Sequence, residues 1–140
     1  MGIFDRLIRR KAATSEEQFW IEGVPAPWSH DKRINYAHLA IQTQSDLSPG
    51  TLFLTDKRIV YRFLSANGRY TGETMMYGLQ DIRSVARPVD HQPGQFVLIA
   101  VQPDGEELGL LFVPRSSPSA TVLAETLYED LTKAHASKNR

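Results

Sequence analysis

Residues 50–63 read GTLFLTDKRIVYRF, which is two strand patterns joined by a short polar turn. Side chains alternate between the two faces of a β-strand, so each pattern has one apolar face. The residues between them, Thr-Asp-Lys-Arg at 55–58, are typical of a chain reversal. The stretch therefore predicts a β-hairpin with these residues on its apolar face: Leu52 and Leu54 in the first strand, and Ile59, Tyr61 and Phe63 in the second.

Further strands are predicted on both sides of this hairpin, from apolar runs bounded by turn residues. Asn67-Gly68 follows the hairpin and is a strong turn signal, because both residues tolerate a positive φ. Residues 34–44 fit either a strand from about residue 37 or a helical spacing, so a helical turn at residues 32–36 stays an alternative. The predicted strands cover residues 37–43, 50–54, 59–63, 72–77, 82–89, 95–102 and 107–113, with Ile82, Val85 and Val89 as core candidates in the fifth.

The sixth of these strands is apolar on both faces, since residues 96–101 read FVLIAV. Such a run is typical of a strand inside a sheet, where both faces are covered. At the edge of a sheet the same run would favour pairing with a second copy of the chain, so homo-oligomerisation is the alternative.

A single helix is predicted after the last strand. Ser117 is a good N-cap residue, and Pro118 suits the first helical position because it lacks only a hydrogen-bond donor that is unused there. The helix is predicted to run from about residue 118 to about residue 133, with an apolar stripe formed by Ala120, Leu123, Ala124, Leu127, Tyr128 and Leu131.

The chain begins with a short basic amphipathic pattern in residues 1–11. A helix this short is unstable alone in water, so docking on this protein, contact with a membrane or partner, and a disordered terminus are the three alternatives. Residues 12–33 contain two tryptophans and read as an irregular linker packed against the domain. The candidate membrane or partner contacts are Ile3, Phe4, Leu7 and Ile8, with Arg6, Arg9, Arg10 and Lys11 on the polar face.

Composition excludes several functional classes. The 16 Lys and Arg balance 16 Asp and Glu, so the basic excess of a general nucleic-acid binder is absent. The sequence has no cysteine, which excludes disulfides, thiol nucleophiles and cysteine zinc sites. No apolar run reaches the ~18 residues of a spanning helix. We therefore expect a cytoplasmic protein, with membrane association as the alternative.

Seven strands followed by one helix, with a GxLxLTxxRI hairpin and a later strand opening at Asp81-Ile82, resemble the pleckstrin-homology-like (PH-like) superfold, and most of all its GRAM-type and bacterial PH-like domains. The resemblance covers about residues 34–134 and leaves residues 135–140 as a flexible tail. It implies a mainly β fold: a bent sandwich or partly open barrel of about seven antiparallel strands, with Leu123, Leu127 and Leu131 filling the end capped by the helix. The residues that carry it are Gly50, Leu52, Leu54, Thr55, Arg58, Ile59, Phe63, Leu79, Asp81, Ile82 and Val85.

Domains of this superfold are usually non-enzymatic modules that bind proteins or lipids, so the resemblance implies a binding or scaffold function for this chain. The basic residues near the hairpins predict an anion-binding or lipid-binding rim. The Lys-x-Arg pattern of phosphoinositide-binding PH domains has no match here, and Arg58 reads as a structural residue. The predicted rim consists of Lys32, Arg33, Lys57, Arg62 and Arg69.

Catalytic and metal-binding patterns are not found in the sequence. The four histidines lack metal-ligand spacing, and the serines at 116, 117 and 119 have no surrounding nucleophile elbow. No glycine-rich phosphate loop occurs. We therefore expect no enzymatic activity, no metal and no cofactor. The expected partners are another protein, a second copy of the chain or an acidic lipid surface, and no nucleic acid.

Overall fold

A computed structural model describes residues 30–42, 46–90 and 92–138. The predicted N-terminal helix and most of the predicted linker lie outside the described residues. The described strands are β1 (Arg33–Gln42), β2 (Leu47–Thr55), β3 (Arg58–Leu64), β4 (Tyr70–Gly78), β5 (Ile82–Ala86), β6 (Phe96–Val101) and β7 (Glu107–Pro114). A 3-10 helix (Leu79–Asp81) joins β4 to β5, and helix α1 (Pro118–Lys138) follows β7.

The seven strands form one antiparallel sheet in the order β4-β3-β2-β1-β7-β6-β5. The sheet does not close, because β4 and β5 each have a single neighbouring strand within it. Helix α1 packs mainly on β1 and also contacts β5, the 3-10 helix and β7. This arrangement confirms the predicted partly open sandwich of seven strands capped by one helix.

The predicted hairpin is confirmed as β2 and β3. Leu54 lies opposite Ile59, and Leu52 lies opposite Tyr61, so the two apolar faces coincide. Its turn is organised by Thr55, whose Oγ1 accepts hydrogen bonds from the backbone N of Lys57 at 3.1 Å and of Arg58 at 3.0 Å. A threonine at this position therefore fixes the reversal that the sequence predicts.

The core lies between the inner face of the sheet and one face of α1. Phe96, Phe112 and Tyr61 supply its largest buried side chains from three different strands, and the Phe96 and Phe112 ring centroids are 5.3 Å apart. The helix contributes Ala124, Leu127 and Leu131, all 0% exposed. Leu123, which we expected to fill the opening, is 46% exposed. A single helical position separates Leu123 from Ala124 and turns its side chain by about 100° away from the sheet.

Three strand boundaries differ from the prediction by three or more residues, and one of them is the start of β2, which lies at Leu47 rather than residue 50. β1 starts at Arg33 rather than residue 37, so the alternative helical turn at residues 32–36 is wrong. Pairing of Arg33 with Thr55 extends the ladder and satisfies that backbone. β5 ends at Ala86, and Val89, which we expected in the core, is 97% exposed. Pro88 has no backbone N–H to donate, which explains why the strand stops before it.

A turn at Asn67-Gly68 and the interior position of β6 are confirmed. The type of turn differs from the one this dipeptide favours: Gly68 has φ +82, but no described residue other than glycine has a positive φ, so Asn67 does not adopt the conformation of a two-residue hairpin turn. β6 lies between β7 and β5. Its two apolar faces therefore belong to a strand inside the sheet, as predicted, and not to an edge strand.

The N-terminal half of α1 is held by polar contacts. The backbone N of Ala120 donates to Ser117 Oγ at 3.1 Å, which confirms the predicted N-cap. Glu125 forms a two-pronged ion pair with Arg87 and accepts a hydrogen bond from the backbone N of Gly94 at 2.5 Å. The helix continues to Lys138, beyond residue 134 at which we expected the domain to end.

Candidate functional site

A cleft of about 670 Å³ lies at the end of the sheet where the β2–β3, β4–β5 and β6–β7 connections meet the last turn of α1. We call it the basic cleft, because Lys57, Arg58 and Lys138 line it together with a single carboxylate, Asp81. The other lining residues are a mixture of polar and apolar ones: Met76, Tyr77, Gly78, Gln80, Val101, Gln102 and Pro103.

The β2–β3 turn forms one wall and is fixed on three sides. Thr55 is fully buried beneath it. The backbone N of Asp56 donates to Lys32 O at 2.9 Å, and the backbone N of Lys32 donates to Asp56 Oδ1 at 3.0 Å. On the other side, the backbone N of Leu79 donates to Lys57 O at 2.9 Å. Lys57 therefore extends from a backbone that is tied to two neighbouring segments.

The last turn of α1 contributes Lys138 to the lining of the cleft. The imidazole Nε2 of His135 lies 2.6 Å from the carbonyl oxygen of Ile82, which can only accept, so Nε2 carries the proton and donates it. Further up the helix, Asn35 Nδ2 donates to Asp130 Oδ2 at 2.7 Å. These two contacts hold the end of α1 beside the 3-10 helix and place Lys138 at the cleft.

The two lysine ammonium groups are available to a ligand. Across residues 30–42, 46–90 and 92–138, neither Lys57 nor Lys138 forms an ion pair with a carboxylate. Both side chains belong to exposed residues. The exposed side chain of Arg83 and the partly buried side chain of Arg87, by contrast, are paired with Glu107 and Glu125. The cleft thus has cationic groups that the described structure does not neutralise.

The predicted rim is divided by the fold. Lys32 precedes β1, and Arg33 is the first residue of β1 and lies opposite Thr55. Both residues therefore lie near Lys57, at the end of β1 that adjoins the β2–β3 turn. Arg69 lies in the β3–β4 connection, at the opposite end of β3. All four are exposed. The structure therefore brings three of the predicted rim residues together and separates Arg69 from them.

Arg62 is not part of an exposed surface. It lies on the outer face of β3 and is only 5% exposed, and its guanidinium carbon is 5.7 Å from the centroid of the Tyr70 ring. Burial lowers the pKa of Arg62. On the same face, Thr51 Oγ1 is 2.8 Å from His38 Nδ1 and 3.0 Å from Tyr70 Oη. The prediction that Arg62 belongs to a solvent-facing rim is wrong, because strand alternation directs it into this polar cluster.

The predicted contacts in residues 1–11 lie outside the described residues. Two residues of the cleft were missed in the sequence: Lys138 was assigned to a tail, and Arg58 to a structural role. No local sequence signal identifies them. The β2–β3, β4–β5 and β6–β7 connections come together only in the folded sheet, in which β1 pairs with β7 and β4 and β5 lie at opposite edges.

No group of three or more His, Asp or Glu side chains among the described residues is placed to hold a metal ion. No described helix is long and apolar enough to cross a membrane.

Comparison with known proteins identifies the fold. No family model matches the sequence, and no curated protein matches it. Among solved structures, the hSac2 domain of the human phosphoinositide phosphatase Sac2 matches with a TM-score of 0.64 at 9% identity, over 96% of this chain and 84% of that one. The Vps36 N-terminal PH domain matches with a TM-score of 0.58 at 17% identity, over 82% of this chain and 86% of that one.

The DH/PH domains of PDZ-RhoGEF, solved in complex with activated RhoA, match with a TM-score of 0.62 at 14% identity. That match covers 88% of this chain but only 34% of the RhoGEF chain, so this chain spans about a third of that relative's length. At such identities the likeness establishes the fold alone. The chain has a PH-like fold, as the hairpin and the order of its elements predict.

Proposed function

We propose that this chain is a non-enzymatic PH-like domain that acts as a binding or scaffold module for another protein. The observation that carries the proposal is the basic cleft, an open concave surface built on a rigid sheet whose lysines form no ion pair among the described residues. Concave surfaces with a few convergent polar groups are the usual form of binding sites. The PH domain of a RhoGEF occurs in a complex with a protein, RhoA, which supports a protein partner.

The lining of the cleft supports a binding role. Its charged groups are three cations and one carboxylate, and its other residues contribute amide and apolar groups, a mixture that suits contact with a ligand surface. The kinship to GRAM-type or bacterial PH-like domains and the cytoplasmic location that the sequence predicts fit the same role and are part of this proposal.

The test is direct binding to a purified partner. Affinity capture with the full chain gives candidate proteins, and each candidate is then purified and titrated against the chain by calorimetry. We expect at least one saturable complex with a dissociation constant in the micromolar range or tighter. If no purified candidate binds, or if binding appears only in crude extract, the proposal of a protein-binding module is abandoned.

Binding to an acidic membrane surface is the second candidate function. The observation in its favour is the group of exposed cations Lys32, Arg33 and Lys57 at one end of the sheet. Exposed lysine and arginine near an acidic bilayer contribute about 1 kcal/mol each. Sedimentation with phosphatidylserine vesicles, for the full chain and for a variant lacking residues 1–11, tests this function. If neither form sediments more than it does with neutral vesicles, it is rejected.

A further inference from the structure

The basic cleft carries a local charge that the molecule as a whole does not have. Three cationic side chains and one carboxylate line it, which leaves an excess of two positive charges, whereas the chain is formally neutral. The carbonyl end of α1 points toward the same region and offsets part of this excess, because a helix C-terminus carries a partial negative charge. Lys57 and Lys138, which form no ion pair among the described residues, keep an attraction for an anion that enters the cleft itself.

We propose that the basic cleft binds an acidic segment of a protein partner, with a side-chain carboxylate of that segment held between Lys57 and Lys138. This inference rests on the proposed function and specifies the chemistry of the partner. Lys57 extends from the fixed β2–β3 turn and Lys138 from the anchored end of α1. Two cations that line one cleft can each donate to an oxygen of the same carboxylate.

The rest of the lining favours a peptide over a bare anion. Met76, Tyr77 and Val101 contribute apolar surface to the cleft, and Gln80 and Gln102 contribute amides that can donate or accept hydrogen bonds. A peptide segment offers apolar side chains and backbone amides as well as charge. Inorganic phosphate would use the lysines and leave the remaining walls without contacts.

An acidic bilayer is less suited than a peptide to occupy the cleft itself. Exposed carboxylates surround the cleft in its connections: Asp56 in the β2–β3 turn, and Asp104 and Glu106 in the β6–β7 turn. A planar acidic surface that approached this end would meet these groups as well as the lysines, at a cost from like-charge repulsion. A narrow peptide can enter the cleft between them.

The experiment measures binding of a fluorescent Glu-Ser repeat peptide by anisotropy, with the matched Gln-Ser peptide, inorganic phosphate and phosphatidylserine vesicles as alternative probes. We expect saturable binding of the Glu-Ser peptide only. Lys57→Glu and Lys138→Glu should each weaken it roughly three- to tenfold, as the loss and reversal of a partly exposed charge pair implies. Lys133→Glu is the matched control: it changes the same charge on the same helix, outside the cleft, and should leave the affinity unchanged.

Amide chemical shifts locate the peptide. In the full chain we expect peptide-dependent shifts at Lys57, Leu79 and Lys138, and unchanged shifts at Arg69 on the opposite end of the sheet. All three charge variants concern exposed side chains and should unfold at the same urea concentration as the parent protein. Any loss of binding is then a loss of contact and not of the fold.

Several outcomes would overturn the inference. These are equal weakening by Lys133→Glu, binding of phosphate with the same affinity as the peptide, preference for vesicles, or shifts confined to residues outside the cleft. A purified protein partner that binds the parent and the Lys57→Glu/Lys138→Glu double variant equally overturns this inference while the proposed function stands. Absence of any purified partner, by contrast, contradicts the proposed function itself.

Discussion

Tyr61 and Gly50 show how one residue makes room for another inside the sheet. The Tyr61 hydroxyl lies 3.0 Å from Leu39 O and 2.7 Å from Ser48 O and shares its proton between these two carbonyl groups. A Cβ atom on Gly50 would stand 2.5 Å from the Tyr61 ring carbon that carries the hydroxyl and 2.6 Å from the hydroxyl oxygen. The tyrosine reaches its acceptors only because residue 50 has no side chain.

Gly50→Ala should therefore destabilise the protein by about 1–3 kcal/mol, the usual cost of overpacking a core. The new methyl group would also collide with the backbone oxygen of Arg62, which cannot move without disturbing the β2–β3 ladder. Gly109→Ala is the control, because its Cβ would make an ordinary 3.7 Å contact with Ile99. Urea unfolding measures both variants, and equal midpoints would contradict the steric argument.

The buried phenol of Tyr61 also predicts a loss of stability in alkali. Burial raises the pKa of Tyr61 above its ordinary value of 10.0, so above about pH 10 the unfolded chain releases a proton that the folded chain retains. The free energy of unfolding then falls by up to about 1.4 kcal/mol per pH unit from this group.

Urea titrations between pH 9 and pH 11 test this linkage, with Tyr61→Phe as the comparison. Tyr61→Phe should be less stable at neutral pH by about 1 kcal/mol, because its two carbonyl acceptors lose their donor. Its stability should nevertheless fall less steeply above pH 10 than that of the parent protein. Parallel pH profiles for the two proteins would show that Tyr61 does not titrate differently in the folded state.

At the scale of elements, the side chains of helix α1 differ in how much they pack against the sheet. Leu127 is 0% exposed and Leu123 is 46% exposed, although the two leucines are one helical turn apart. Leu127→Ala should cost about 2–5 kcal/mol, from lost burial and the cavity that remains. Leu123→Ala should cost less than about 1 kcal/mol, since half of that side chain already contacts water. Thermal unfolding of the two variants distinguishes them, and similar losses would mean that the apolar face of α1 is wider than the structure shows.

The sequence predicts the element order well, because that order depends on local patterns. The Leu52-Leu54 alternation, the Thr55 turn and the Ser117 cap are each decided within a few residues, and all appear in the structure. The prediction for Leu123 is wrong because helical spacing admits an apolar stripe wider than the buried face. The prediction for Val89 is wrong because β5 ends before Pro88. The basic cleft was missed for a different reason: Lys57 and Lys138 are far apart in the chain, and only the topology of the sheet brings them together.

At the scale of the whole molecule, charge neutrality restricts where an acidic partner can bind. The 16 basic and 16 acidic residues cancel, so the molecule exerts little long-range attraction, and any electrostatic affinity must come from local groups such as Lys57, Arg58 and Lys138. Contacts of this kind act over a few ångströms. They are weakened by salt to the extent that water reaches them.

The affinity of the Glu-Ser peptide should consequently fall roughly three- to tenfold when the salt concentration rises from about 0.1 M to about 1 M, since the screening length shortens from about 10 Å to about 3 Å. The weak residual binding of the Lys57→Glu/Lys138→Glu double variant should change little over the same range, because its attractive charges are gone. Anisotropy titrations at a series of salt concentrations give both slopes. A flat slope for the parent protein would mean that uncharged contacts hold the peptide and would contradict the role assigned to Lys57 and Lys138.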